Sequence, residues 1–122
     1  MPRTRVLFYQ EDDGTVPLLE WLDGLPEAAQ DKCRIKLERL RELGHELRRP
    51  EADYLRDGIY ELRVRLSRVN YRMLYFFHDR VAAVVSHGIV KEQAVPPKEI
   101  NRAVELKQAF EQAPTRHTYE ET

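Results

Sequence analysis

Apolar positions along this chain recur with two different spacings, and the spacing predicts the element in each segment. Arg5-Val6-Leu7-Phe8-Tyr9 is rich in β-branched and aromatic residues and runs into the turn-like Glu11-Asp12-Asp13-Gly14, which predicts an opening strand. Thr15 then precedes Val16-Pro17-Leu18-Leu19-Glu20-Trp21-Leu22, a short helix with a hydroxyl near its start and proline in its first turn, closed by Asp23-Gly24. Pro26 and Glu27 suit the first turn of a second helix. Its apolar positions Ala29, Cys33, Leu37, Leu40 and Leu43 fall at three- and four-residue spacing, and Gly44 terminates it. The two helices are expected to form a hairpin, followed by a polar connecting loop from His45 to Asp53.

Beyond the loop the period changes. Tyr60, Leu62, Val64 and Leu66 alternate with Glu61, Arg63, Arg65 and Ser67, so this strand is expected to bury one face and offer two arginines on the other. Val69 to Phe77 is apolar at nearly every position except Asn70 and Arg72, the pattern of a central strand covered on both sides. His78-Asp79-Arg80 turns the chain into Val81-Ala82-Ala83-Val84-Val85, a strand that runs on to His87 and Gly88. Pro96 and Pro97 suit a helix start, after which Ile100, Ala103, Val104, Leu106 and Phe110 make an apolar stripe. The expectation is an α+β fold: one curved, mostly antiparallel four-stranded sheet with an N-terminal helical hairpin and a C-terminal helix, the helices on one face. Residues 1–112 are expected to form a single domain and residues 113–122, which lack periodicity, a flexible C-terminal tail.

A length of 122 residues allows one ordinary core. Net charge is -1 with 34% charged residues, which excludes a uniformly basic nucleic-acid binder and leaves a locally basic one. Glu11 to Asp31 carries seven acidic residues and no Lys or Arg, whereas Lys32–Arg49 and Arg56–Lys91 each carry seven basic residues against three acidic ones. Cys33 is the only cysteine, so no internal disulfide is possible, and no basic start leads into a long apolar run. A cytoplasmic location without membrane insertion is expected.

Cleaving RNA without a metal requires a base for the 2′-hydroxyl, cations to hold the phosphate as charge grows, and a proton for the leaving 5′-oxygen. Arg63 and Arg72 on neighbouring strands suit the second task, because a guanidinium stays charged and offers planar, bidentate donors. Ordinary ion-paired strand residues, with Glu61 and Asp79 as partners, are the plain alternative. His87 has the pKa of a proton shuttle, beside Gly88 where a small residue lets RNA approach, yet a lone strand-end histidine is more often structural. Lys91 can neutralise phosphate. Tyr60, Tyr71 and Tyr75 can stack on bases, although Tyr71, Met73, Tyr75 and Phe77 at two-residue spacing read first as a packed face. Trp21 reads as a core anchor and Cys33 as a small buried hydrophobe. There is no glycine-rich phosphate loop, no Cys/His metal constellation and no nucleophile-elbow serine.

Leu55-Arg56-Asp57-Gly58-Ile59-Tyr60-Glu61-Leu62-Arg63, then Tyr71-Arg72-Met73-Leu74-Tyr75-Phe76-Phe77, then His87-Gly88-Ile89-Val90-Lys91 and Pro97-Lys98-Glu99-Ile100-Asn101-Arg102-Ala103, resemble in order the phage-derived, HigB-like branch of the RelE/HigB toxin superfamily. The resemblance covers about Arg5 to Phe110. It implies a RelE/ParE-like fold and the toxin of a type II toxin–antitoxin pair, an endoribonuclease that cuts mRNA in the ribosomal A site and leaves a 2′,3′-cyclic phosphate. It implies no metal or other cofactor, and a helix-turn-helix antitoxin as partner. Carried over position by position, it implies catalytic roles for Arg63, Arg72, His87 and Lys91, with Arg65, Tyr75 and Lys98 contacting RNA. Ile89 replaces the family's aromatic, and Glu92-Gln93-Ala94-Val95 stands where relatives carry further lysines. Two other expectations stay open: a ParE-like toxin that binds gyrase without cutting RNA, and a phage remnant that keeps its antitoxin surface with weakened catalysis.

Overall fold

Three tight turns set the registers of the sheet. Asp57-Gly58, Ser67-Arg68 and Asp79-Arg80 all have positive φ, between 51° and 81°, the left-handed conformation whose twist matches that of two flanking antiparallel strands. In the computed structural model, which describes residues 4–91 and 93–121, these turns join β2 (Ala52–Arg56), β3 (Ile59–Leu66), β4 (Val69–His78) and β5 (Ala82–Val90) into a continuous meander. Glu92, on which the expectation of weakened catalysis rests, lies outside the described residues.

The fold is α+β, with three α-helices and a six-stranded mixed sheet in place of the four-stranded, mostly antiparallel one expected. With β1 at Arg5–Tyr9 and β6 at Thr118–Tyr119, the strand order is β2-β3-β4-β5-β1-β6. β1 (Arg5–Tyr9) pairs parallel with β5, from Arg5 opposite Ala82 to Phe8 opposite Val85. Its last four residues are buried, so β1 is an interior strand. Two strands come from segments expected to be loop and tail. Ala52–Arg56 pairs with β3 as an edge strand, and Thr118–Tyr119 forms β6 against Phe8 and Tyr9. Neither has a readable period: β2 has only one fully buried residue and β6 has two residues in all.

The helices α1 (Pro17–Asp23) and α2 (Glu27–Leu43) follow one another as expected, but α1 packs on β5 while α2 packs on β3 and β1. They do not form a hairpin against each other. The sheet offers each of them a larger apolar surface: Leu18, Leu22, Ala29, Cys33, Leu37 and Leu40 share one core with Val6, Phe8, Leu62, Val64, Met73 and Val85. Thr15 does not cap α1, whose N-cap is Val16 with no side-chain hydrogen bond. Gly44 does close α2, at φ 52° and with its N–H on the Leu40 carbonyl.

The C-terminal helix α3 (Pro97–Gln112) covers the opposite face, packing Ile100, Ala103 and Phe110 on Leu7, Ile59, Leu74, Phe76 and Val84. The helices are thus split between two faces, which is what the near-continuous apolar run of β4 requires: Met73 and Tyr75 point to α1 and α2, Leu74 and Phe76 to α3. Each large apolar side chain buried in this way stabilises the fold by about 1.5–3 kcal/mol. Cys33 is wholly buried, and burial pushes its thiol up to about 11. No helix among the described residues is long and apolar enough to cross a membrane.

Candidate functional site

Alternation along β3 and β4 puts Glu61, Arg63, Arg65, Asn70 and Arg72 on the face that α3 covers, because the intervening Leu62, Val64, Tyr71 and Met73 belong to the α1/α2 core. Register then pairs them across the strands. Arg63 lies opposite Arg72, Arg65 opposite Asn70, and Glu61 opposite Leu74. Lys91 continues the ladder past the end of β5, its N–H donating to the Asn70 carbonyl at 3.1 Å. Four of the predicted residues, Arg63, Arg65, Arg72 and Lys91, therefore gather at the Ser67-Arg68 end of the sheet.

The two central arginines are held by one carboxylate. Arg63 Nε and Arg72 Nη1 each donate to Glu61 Oε1 at 2.8 Å, and the Glu61 side chain is only 3% exposed. Arg63 Nη2 also donates to Asp53 Oδ2 at 3.3 Å, from the edge strand β2. Arg49 is the closer partner of Asp53, at 2.8 Å, and Arg49 first and Arg63 last hold that carboxyl below its ordinary range. Two like-charged guanidinium groups on adjacent strands would repel; the buried carboxylate between them removes that repulsion and fixes both planes. Arg72 Nε is buried with no hydrogen-bond partner among the described residues, so this guanidinium keeps an unused donor. Arg65, Lys91 and Lys98 make no side-chain ion pair or hydrogen bond among the described residues, and all three are exposed.

His87 is placed differently. It pairs with Leu74 on the α3 face and is 1% exposed. Its Nε2 lies 3.1 Å from Glu99 Oε1 in the first turn of α3, and its Nδ1 lies 3.0 Å from Ser86 Oγ. Burial, together with Arg102, holds the imidazole below its ordinary value against the opposing pull of Glu99. In this position the ring ties α3 to β5. Gly88 faces the other side, where a Cβ would run into the Trp21 ring, so the space expected for RNA is filled by the side chain of α1. Trp21 also meets Tyr71 edge-on, which makes it the packing anchor its position suggested. Tyr75 is 1% exposed and stacked on Tyr60 in the core, and burial pushes its hydroxyl up, so neither its ring nor its proton reaches the surface.

Sequence reasoning missed two features. Glu61 was placed on the polar face but not as the buried link between the arginines. The second is a row of rings at the β2 edge: Tyr54, half exposed, meets Tyr60 edge-on across the β2–β3 pair. A groove of about 550 Å³ also runs between α2 and the β3–β4 strands, with Lys32 and Ile35 on its wall and Val64 and Tyr71 at its floor. Lys36 and Glu51 also line it, and Arg39 together with Lys36 pulls the Glu51 carboxyl down to about 2. Among the described residues no group of His, Cys, Asp and Glu is placed to hold a metal ion.

The sequence model of the family described as Phage derived protein Gp49-like (DUF891) matches residues 20–108. No curated protein matches the chain. The matched stretch runs from α1 to near the end of α3 and contains Glu61, Arg63, Arg72, His87 and Lys91.

Proposed function

The chain belongs to the phage-derived Gp49-like family, within the RelE/HigB-like toxin group, and from that premise we propose that it is a HigB-like toxin of a type II toxin–antitoxin pair that cuts mRNA in the ribosomal A site. The observation that carries the reading is the cross-strand pair Arg63–Arg72 held on one carboxylate oxygen. A phosphate placed over that pair meets charge-assisted donors that need no rearrangement as its oxygens gain charge. The 2′-oxygen attacks phosphorus, its proton passing to a base. The O2′–P bond forms, the P–O5′ bond breaks, and O5′ takes a proton, leaving a 2′,3′-cyclic phosphate and a 5′-hydroxyl. Lys91, at the open end of the same face, assists on the phosphate, while Arg65 and Lys98 hold the flanking backbone. His87 serves this site by fixing α3 over it. A helix-turn-helix antitoxin is the partner that keeps the toxin silent, and both work in the cytoplasm.

A second reading has one specific observation behind it. Glu61 ion-pairs with both Arg63 and Arg72, and Asp53 pairs with Arg63 as well as Arg49, which favours a protein that binds its antitoxin or, like ParE, gyrase, without cutting RNA. Expression from a tightly controlled promoter separates the two. Growth arrest with codon-positioned mRNA ends, lost in Arg63→Ala and Arg72→Ala, supports the nuclease; DNA damage with intact mRNA supports the gyrase binder, and no toxicity at all supports the remnant.

A further inference from the structure

The edge strand β2 separates two surfaces. Asp53 points to the arginine face, while its neighbour Tyr54 points to the α2 face, opposite Tyr60. Around Tyr54 the α2 face carries a series of rings that the core does not fully absorb. Tyr54 meets Tyr60 at 5.1 Å between centroids, Tyr60 meets Phe77 at 5.2 Å, and Phe77 stacks on the exposed His45 at 3.6 Å. The Tyr54 ring is 52% exposed, yet it is not loose, because its hydroxyl accepts the Gly58 N–H at 3.0 Å. A hollow of about 440 Å³ opens beside it, lined by His45, Arg48, Arg49, Asp53, Tyr54 and Tyr60. Arg48 is exposed and its side chain has no ion pair or hydrogen bond among the described residues, while Arg49 is 74% exposed and shares Asp53 with Arg63.

A fixed, half-exposed aromatic ring flanked by exposed guanidinium groups, one of them without an ion pair among the described residues, is the arrangement that holds single-stranded nucleic acid, the ring taking a base face and the cations the backbone. We propose that Tyr54, with Arg48 and Arg49, is a base-stacking site for single-stranded RNA, and that RNA bound there turns around the β2 edge toward Arg63 and Arg72. The path is short, because Tyr54 and Asp53 are adjacent and the Asp53 carboxylate already touches both Arg49 and Arg63. A stacking ring does not read sequence, so the site serves affinity and placement and leaves codon choice to other contacts. The inference rests on the reading of the chain as an RNA-cleaving toxin and names a contact outside the arginine pair.

The test uses the purified full chain, a fluorescein-labelled single-stranded RNA of mixed sequence, and an abasic oligomer of the same length, in an anisotropy titration at fixed salt. Tyr54→Leu is expected to weaken RNA binding roughly five- to hundredfold, the span of one stacked base. Tyr54→Phe, which keeps the ring, should bind like the wild type, and the abasic oligomer should bind the wild type as weakly as intact RNA binds Tyr54→Leu. Circular dichroism is the control that each variant folds, and at an edge strand such as β2 the change is expected to be tolerated. Equal affinity of wild type and Tyr54→Leu, or of RNA and abasic oligomer, overturns the proposal. That outcome is separable from failure of the nuclease reading, which is decided by transcript ends and not by binding of a free oligomer.

Discussion

Arg63 and Arg72 face each other across β3 and β4 and donate to the same oxygen of Glu61, at 2.8 Å each, yet they differ in exposure: 38% for the Arg63 side chain and 13% for Arg72. The two bonds are alike in length and unlike in the water around them. That asymmetry has an energetic consequence that can be measured.

Removing Arg72 leaves a buried carboxylate with one of its two partners gone, at a cost of about 3 kcal/mol. Removing Arg63 breaks a bond that water already screens, at about 1 kcal/mol or less. Urea unfolding of Arg72→Ala and Arg63→Ala should show that order. Equal losses would mean that Glu61 does not discriminate between its partners.

Glu61 also competes with any anion for the arginine pair. Glu61→Gln keeps an acceptor oxygen and removes the negative charge, so pyrophosphate should raise the melting temperature of Glu61→Gln more than that of the wild type. The same rise in both proteins would place anion binding away from this pair.

Acid should loosen α3 before it affects the rest of the fold. Burial holds the His87 imidazole below its ordinary value, so the unfolded chain binds that proton more readily than the folded one. The stability that neutral His87 contributes is complete above the unfolded pKa of about 6.5 and is lost as pH falls from there toward the lowered folded value. Unfolding free energies between pH 7 and 5 should therefore fall more steeply for the wild type than for His87→Gln. Matching slopes would assign the acid sensitivity to other groups.

Much of this architecture was legible because it is periodic. Alternation located β3, continuous apolar runs located β4 and β5, the three- and four-residue spacing located α2 and α3, and the near-continuous apolar run of β4 implied cover on both faces. Which helix covers which face was not legible, since periodicity marks a buried side without naming its partner. The parallel pairing of β1 with β5 joins residues far apart in sequence, and no local pattern specifies it. β2 had a local signal: Asp57-Gly58 is a two-residue hairpin turn, with Arg56 and Ile59 paired directly across it and Tyr54 paired with Tyr60 beyond one bulged residue. The polar, proline-containing stretch before it hid that signal. At the site, the arginine pair followed from alternation and register, whereas the burial of Glu61 between the arginines, the sealing of His87 under Glu99 and the filling of the space at Gly88 by Trp21 are tertiary facts.

In the proposed reaction the Arg63–Arg72 pair binds and stabilises a scissile phosphate of mRNA on the ribosome. The measurement that tests it most directly is primer extension on purified ribosomes programmed with a defined mRNA and incubated with the wild-type chain, Arg63→Ala or Arg72→Ala. The wild type is expected to cut within the A-site codon and to leave a 2′,3′-cyclic phosphate on the upstream fragment, and either variant is expected to lose at least about a hundredfold in rate. Full-length mRNA with the folded wild-type protein, or cleavage that survives both substitutions, would contradict it.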